Sequence, residues 1–392
     1  MKSVELFAGA GGLAIGVAKA GFEHQVVIES DKNAVATLKA NKSRSVEHVR
    51  DWNIFPGLAE KFDYRSVGPG ITLISGGPPC QPFSLGGKHG GRNDKRDMFP
   101  HACATVRILR PEAFLFENVK GLLRKNFKPY FEYILRKLGY PNIEIKPKET
   151  WREHFQRLEK HHARDKKPSA DWYRIKFRLL NAANFGVPQK RERVFIVGIR
   201  ADLEKEFEFP VETHSEDSLI ISKWITSEYW DEFGISPKKR PGPTIKERRR
   251  INVLTKNGHQ SDNVKKPWET VRRALKGLTS LKAGQRCFKD PNHYLNPGAR
   301  SYPGHTGSSW DEPSKTLKAG DHGVPGGENT VRINGDGDVR YYSVREAARI
   351  QTFPDDYVFE GAWSVCMRQL GNAVPVELAN VVAGKLAASL KS

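Results

Sequence analysis

The stretch KSVELFAGAGGLAIGVAKAG, residues 2–21, decides how the chain is read. It opens as a short apolar run of strand type, passes through closely spaced glycines, and continues as a helical pattern closed by Gly21. A strand that turns through glycines into a helix begins an α/β unit, and the missing side chains let backbone approach a ligand closely. Gly9, Gly11 and Gly12 do not spell GxGxxG, because Ala14 stands at the last glycine position. A dinucleotide-dependent dehydrogenase is therefore the weakest functional reading.

The same rhythm extends outward. QVVIES, ITLISGG and AFLFENV read as further strands, separated by helix-length segments such as MFPHACATVRILR, and RVFIVGIR at residues 193–200 adds another. Strands alternating with helices predict a parallel sheet covered on both faces. Residues 146–171 are charged, carry Trp151, Phe155 and Leu158 at helical spacing, and read as a surface insertion. After Arg200 the alternation stops. Residues 201–337 are rich in Gly, Pro, Asn and basic side chains and read as a second, irregular domain. Helical patterning returns at YYSVREAARIQTFP, so residues 338–392 read as a segment that rejoins the first domain, residues 1–200.

Charge narrows the partners. A formal charge of +19 over 392 residues exceeds what solubility needs and points to a polyanion, with nucleic acid first. Residues 238–276 hold thirteen Lys/Arg against three Asp/Glu. That run reads either as a solvated face or, because prolines and the amphipathic set Trp268, Val271, Leu275 and Leu278 interrupt it, as a folded binding surface. No apolar run approaches 18 residues and no export signal is visible, so no membrane association is expected. Cys80, Cys103, Cys287 and Cys366 are far apart, which predicts neither a zinc cluster nor a disulfide framework and suits a reducing cytoplasm.

Several residues stand where α/β folds place their chemistry. Glu29 ends the second strand, where a carboxylate receives ribose hydroxyls, and Asp51 is read as ending a third strand, where it can accept from an adenine amine. Each is weak alone. Together with the glycine turn they suggest an adenosyl ligand. Cys80 follows a strand and two stiff prolines, Pro78 and Pro79, ahead of a glycine-rich loop. A free cysteine is usually a small buried hydrophobe, but this one sits at a strand's carboxyl end. Glu117, at the end of AFLFENV, can supply the acid a thiol nucleophile needs, with an apolar setting holding it protonated. Gln189, Arg191 and Arg193 alternate in VPQKRERVFIVG, which puts both arginines on one face of an extended segment, suited to an anion or carbonyl.

These residues make nearly the whole chain resemble a DNA (cytosine-5)-methyltransferase of the bacterial restriction–modification type. The resemblance is carried, in order, by FAGAGG, GGPPCQPFS, ENV, PQKRERVFIVG, REAARIQTFP and GNAVP. It implies a Rossmann-like sheet using S-adenosylmethionine, with a smaller irregular target-recognition domain. It implies Cys80 as the nucleophile on cytosine carbon 6, Glu117 at N3 and the amino group, Arg193 at O2, and Arg191 supporting the thiol loop. The cofactor would be held by Phe7, Ala10, Gly12, Glu29, Ser30, Asp51, Trp52, Pro79, Asn372, Ala373 and Val374. The target base would be flipped out of the duplex, with the loop of Ser84, Lys88, Arg92 and Arg96 closing on DNA and Thr316-Leu317 belonging to the recognition domain. Glu5 and Ser30 depart from the family pattern, where aspartate and tryptophan are frequent.

The implied partners are double-stranded DNA, bound as a monomer, and a cognate restriction endonuclease acting separately; the implied location is a prokaryotic cytoplasm, at the nucleoid. A transfer-RNA cytosine-5 methyltransferase and a catalytically silent DNA-binding regulator are the competing readings. Retention of Cys80, Glu117, Arg191 and Arg193 together argues against the silent one.

Overall fold

A computed structural model of the chain describes residues 1–79, 97–164, 167–256, 265–301, 306–319, 329–333 and 338–392. The chain forms two compact units. The first is Met1–Leu180, Glu192–Pro210 and Ala379–Ser392; the second is Asn181–Arg191 and Val211–Leu378.

The first unit is built on a seven-stranded sheet. Its strands are β1 (Lys2–Leu6), β2 (Glu23–Glu29), β3 (Ile54–Pro56), β4 (Leu73–Gly76), β5 (Ala113–Val119), β6 (Tyr173–Asn181) and β7 (Glu192–Arg200), in the order β3-β2-β1-β4-β5-β7-β6. Strands β1 to β5 pair in parallel, and β7 enters antiparallel beside β5. The helices are α1 (Gly12–Lys19), α2 (Lys32–Ser43), α3 (Phe99–Leu109), α4 (Lys128–Gly139) and α5 (Trp151–Arg164). The chain winds from β1 outward to β3, then restarts at β4 on the other side of β1. That reversal opens a crevice at the carboxyl ends of β1 and β4, where such sheets bind ligands.

Burial explains why these runs are strands. Val4, Leu6, Val26, Ile28, Ile74, Phe114, Phe116 and Ile196 form one continuous apolar layer. Gly76 is required for closeness: a Cβ there would stand 2.4 Å from the Leu6 carbonyl oxygen. The alternate positions Ser3, Glu5 and Ser75 are polar yet fully buried.

The second unit holds α6 (Glu216–Trp224), α7 (Glu228–Glu232), α8 (Ile245–Lys256), α9 (Val271–Ala274), α10 (Val344–Ile350) and α11 (Trp363–Asn372). His214–Ser215 pairs in parallel with Lys266–Pro267, and Thr330–Arg332 antiparallel with Val339–Tyr341. Leu219, Tyr229, Trp230 and Trp268 form a small aromatic core with Ala183. The last helix, α12 (Val376–Lys391), starts in this unit and ends in the first.

Three expectations change. Residues 181–191 and 338–378 group with the second unit, and the chain rejoins the first at Ala379, later than residue 338. Among the described residues, 201–337 hold four α-helices, which polar anchoring conceals from apolar periodicity: in α8 only Leu254 is fully buried. Asp51 does not end a strand; it is an exposed turn residue, and β3 begins three residues later. The segment Trp363–Lys391 is long and apolar enough by composition to cross a membrane, but over half of its apolar window is buried in the protein, as in a core helix pair.

Candidate active site

The carboxyl ends of β1, β2, β4 and β5 gather most of the expected first-unit residues. β5 delivers Glu117 and Asn118, and β7 begins against them in register, with Val119 opposite Arg193. Arg193 Nε lies 2.7 Å from Glu117 Oε1, and both side chains are nearly buried. Burial lowers the Arg193 pKa from its ordinary value, and the Glu117 carboxylate opposes that shift. Glu117 therefore faces a guanidinium, not the apolar setting expected of it. A buried ion pair of this kind costs desolvation on both sides and leaves each partner dependent on the other.

The same strand end holds Gly77-Pro78-Pro79, the residues that precede Cys80 in the chain. A Cβ on Gly77 would stand 3.3 Å from Glu117 Oε2, so β4's exit passes directly over that carboxylate. Asn118 Nδ2 donates to the Pro78 carbonyl at 2.9 Å, and Met98 N donates to the Pro79 carbonyl at 3.0 Å. Cys80, Ser84, Lys88, Arg92 and Arg96 lie outside the described residues. Two of the other cysteines differ from a poised thiol: burial pushes Cys103 and Cys366 up to about 11.

Arg191 takes a different environment. It is fully buried, donating from Nη1 to the Leu317 carbonyl at 3.0 Å and from Nη2 to Gly371 at 2.6 Å and Ala373 at 2.8 Å. Gln189 accepts from Leu317 N and donates to Gln351 Oε1, each at 3.0 Å, and Thr316 Oγ1 donates to the Lys190 carbonyl at 2.7 Å. These contacts stitch QKR, Thr316-Leu317 and GNAVP together within the second unit. Gly371 permits it: a Cβ there would stand 2.3 Å from Ala319 N. Gln351, which sequence reasoning did not single out, is carried by the REAARIQTFP motif.

At the glycine turn, Phe7 adopts φ 55° and Gly9 φ 54°, left-handed conformations that fold the chain back on itself. Ala10 and Gly12 are buried there. Glu29 Oε2 accepts from Gly9 N at 2.6 Å, and Oε1 accepts from Ser30 N and Asp31 N at 2.7 Å each. Ser30 and Pro79 are exposed. Asp51 pairs with Arg50 at 3.2 Å in solvent. Trp52 is buried, edge-on to His24 at 5.3 Å, which leaves its ring little free face. Asn372, Ala373 and Val374 belong to the second unit, Asn372 exposed and the other two buried.

Beneath the turn lies a polar layer the sequence reading did not foresee. Ser75 Oγ donates to Glu5 Oε2, and burial raises the Glu5 carboxyl to about 8, partly offset by that hydrogen bond. His24 contacts Ser3 Oγ at 3.0 Å and the Ala14 carbonyl at 2.9 Å, and burial lowers it to about 4. The buried positions of β1 and β4 were legible as strand; their polarity was the unused signal.

Comparison with known proteins bears on the family and the fold. The sequence profile of C-5 cytosine-specific DNA methylases matches residues 1–147 and 160–388, leaving out the start of α5. The Type II methyltransferase M.PspPI of Psychrobacter sp. is 31% identical over 379 residues, spanning 96% of this chain and 76% of that protein. M.Sau96I of Staphylococcus aureus is 31% identical over 392 residues, spanning 97% and 74%. Among solved structures, a prophage-encoded E. coli chain described as a DNA modification methyltransferase superposes with a TM-score of 0.61 at 19% identity, covering 100% of both chains. The S. pombe methyltransferase Dnmt2 gives 0.54 at 16% identity, covering 100% and 98%. Matched over most of its length and built on the same sheet, the chain belongs to the C-5 cytosine-specific DNA methylase family.

Proposed function

We propose that the protein transfers a methyl group from S-adenosylmethionine to carbon 5 of a cytosine flipped out of a specific duplex DNA sequence, through a covalent bond between Cys80 and carbon 6. The observation that carries this reading is the Glu117–Arg193 pair, seated beside the Gly77-Pro78-Pro79 segment that leads straight into Cys80. The protein acts as a monomer on DNA, and any partner endonuclease works separately.

The residues at the turn fit the cofactor. Glu29 Oε1 already accepts two amides, but Oε2 accepts one and keeps a lone-pair site for a ribose hydroxyl. Phe7, Ala10 and Gly12 would line the methionine and adenine parts, with Ser30, Asp51, Trp52 and Pro79 nearby; Asn372, Ala373 and Val374 are assigned to the cofactor by family resemblance. Bound S-adenosylmethionine supplies an electrophilic methyl group.

The protein's own groups make cytosine reactive toward it. The Cys80 thiolate adds to carbon 6, and the electron pair of the C5–C6 double bond moves onto carbon 5 and the ring. Glu117 engages N3 and the exocyclic amine, and Arg193 engages O2 as charge builds there. Arg193 also holds the Glu117 carboxyl in place before substrate arrives. Once carbon 5 carries the methyl, loss of its proton restores the double bond and expels Cys80. Flipping is required because the stack hides carbon 6 from any thiol.

The test has two stages. Bisulfite sequencing of DNA from cells expressing the protein locates the methylated cytosine. A duplex bearing 5-fluorocytosine at that position should then trap a protein–DNA adduct that survives denaturing electrophoresis, because fluorine cannot leave as a cation. The linked peptide should contain Cys80. An adduct on Cys103, Cys287 or Cys366, or unmethylated DNA throughout, overturns the proposal.

A further inference from the structure

Helix α8 divides its surface three ways. Its inner stripe, Glu247, Ile251 and Leu254, recurs at i, i+4 and i+7 and is the side withdrawn from solvent. Glu247 anchors it twice. One carboxylate oxygen closes a capping box with Thr244, accepting from Thr244 N at 2.8 Å. The other accepts from Lys223 Nζ at 2.8 Å and Trp224 Nε1 at 3.0 Å on α6. Lys223 also reaches Glu312 at 2.8 Å, and Glu312 reaches Lys190 at 3.2 Å, so the helix is linked through α6 and Glu312 to the residue preceding Arg191.

The flank of α8 is neutralised. Lys246 pairs with Glu216 at 2.8 Å, and Arg250 Nε donates to Asp217 at 2.7 Å. The cations that face α6 are thus consumed by its acids.

Opposite the inner stripe the pattern inverts. Ile245, Arg249, Asn252 and Lys256 recur at i, i+4, i+7 and i+11, which at 100° per residue forms one outward row. All four are exposed, Ile245 by 73%, with Val253 at 44% beside them. Among the described residues, Arg249, Asn252 and Lys256 have neither an ion pair nor a side-chain hydrogen bond. Arg248 borders the row, donating from Nε to the Pro243 carbonyl, and Lys238 and Lys239 are exposed just ahead of the helix. A rigidly held helix presents an arginine, an amide and an isoleucine in line, without partners among the described residues, inside a strongly basic stretch of the chain.

We propose that this outer row is a base-reading surface that enters the major groove of duplex DNA, with Arg249 and Asn252 as the specificity-determining side chains. The inference rests on the DNA-methylating reading above and goes beyond it by naming the element that reads sequence. The groove is about 12 Å wide and admits a helix of about 10–12 Å diameter. Arginine pairs with two acceptors of guanine, asparagine with the donor and acceptor of adenine, and Ile245 or Val253 with a thymine methyl. Arg248 and Lys256 serve phosphates, which position without specifying.

The experiment uses full-length protein on mixed-sequence duplex DNA, with bisulfite sequencing to define the methylated motif. Arg249→Ala and Asn252→Ala should each relax the motif at one base pair, cutting discrimination there by about 5- to 150-fold, with unfolding midpoints unchanged. Arg249→Lys keeps the charge but loses the two-pronged geometry, so it should relax the same base pair while leaving the salt dependence of binding intact. Lys256→Ala should weaken binding to all sequences equally and reduce the salt slope by about one. A motif unchanged in Arg249→Ala and Asn252→Ala, while wild type methylates its site, overturns the base-reading assignment and leaves the proposed function standing. So does an Arg249→Ala effect equal on duplex RNA, whose deep, narrow major groove excludes a helix. Wild-type protein that methylates no DNA overturns both.

Discussion

Two arginines separated by one residue set the two units of this protein against each other. Arg193, in the first unit, spends its charge on one carboxylate at a strand end that remains slightly open. Arg191, in the second, is sealed and spends its donors on the carbonyls of Leu317, Gly371 and Ala373. The first arrangement preserves a charged pair that a substrate can re-partner. The second leaves nothing to re-partner, because backbone carbonyls cannot move without the loops that carry them. One residue type therefore serves reactivity in one place and architecture in the other.

The largest expected effect tests the reactive side. Glu117→Gln keeps shape but removes the carboxyl's proton chemistry and the partner of Arg193. The rate constant of methyl transfer in single-turnover assays of the folded variant should fall by about 10²- to 10⁴-fold, on top of the stability lost by leaving Arg193 without its buried counter-charge. A variant that loses stability and rate in proportion would place Glu117 with the architectural groups.

Arg191→Ala tests the other side, and the expected loss is in stability. Three buried carbonyls lose their donor, at about 1–3 kcal/mol for each group left unsatisfied and with partial relaxation, so a loss on the order of 4 kcal/mol is expected. Denaturant unfolding followed by tryptophan fluorescence reads it, since Trp230 and Trp268 lie in the second unit's core. Arg191→Lys should recover only part of the loss, because one ammonium cannot reproduce the fork. Full recovery would show that charge alone matters there.

The smallest effect, taken per unit of pH, concerns Glu5, in the polar layer under the glycine turn. Burial raises its folded pKa from the ordinary carboxylate range to about 8, so the native state keeps a proton that the unfolded chain releases. Its contribution is complete below about pH 4.5 and is lost as pH rises through about 8, by at most about 1.4 kcal/mol per pH unit. Glu5→Gln should remove that slope: relative to wild type, the variant gains stability between pH 5 and pH 8. His24, lowered to about 4, acts in the opposite direction, losing its contribution as pH falls from about 6.5 toward 4. Equal wild-type-minus-variant differences at both pH values would mean that Glu5 is ionised in the folded protein.

Much of the first unit was legible because its strands are buried on both faces and must be apolar throughout, as in Leu73–Gly76 and Ala113–Val119. The edge strand Tyr173–Asn181 was missed because only Tyr173 and Leu180 are buried in it, and the alternation of Arg174, Lys176 and Arg178 with apolar residues was a strand signal left unused. Helix α8 was missed for a related reason: a capping box and ion pairs to α6 hold it, and only one fully buried apolar residue marks it. At the site, Glu117 and Asn118 could be placed at a strand end from sequence, but the Glu117–Arg193 pairing could not, nor could the inward turn of Trp52.

By itself the sequence determined the parallel sheet, the glycine turn, the order of the motifs and the kind of chemistry they suit, because periodicity, glycine freedom and side-chain reactivity are local properties. Only the tertiary structure decided partnership. Arg191 meets carbonyls 126, 180 and 182 residues away, and no local period encodes such distances. Glu5 and Ser75 become a buried pair only when β4 returns beside β1, and α8 acquires an inner and an outer face only when α6 takes up its acids' partners. A side chain's type is written in the chain; whether it reacts, braces or reads depends on which groups the fold leaves it to meet.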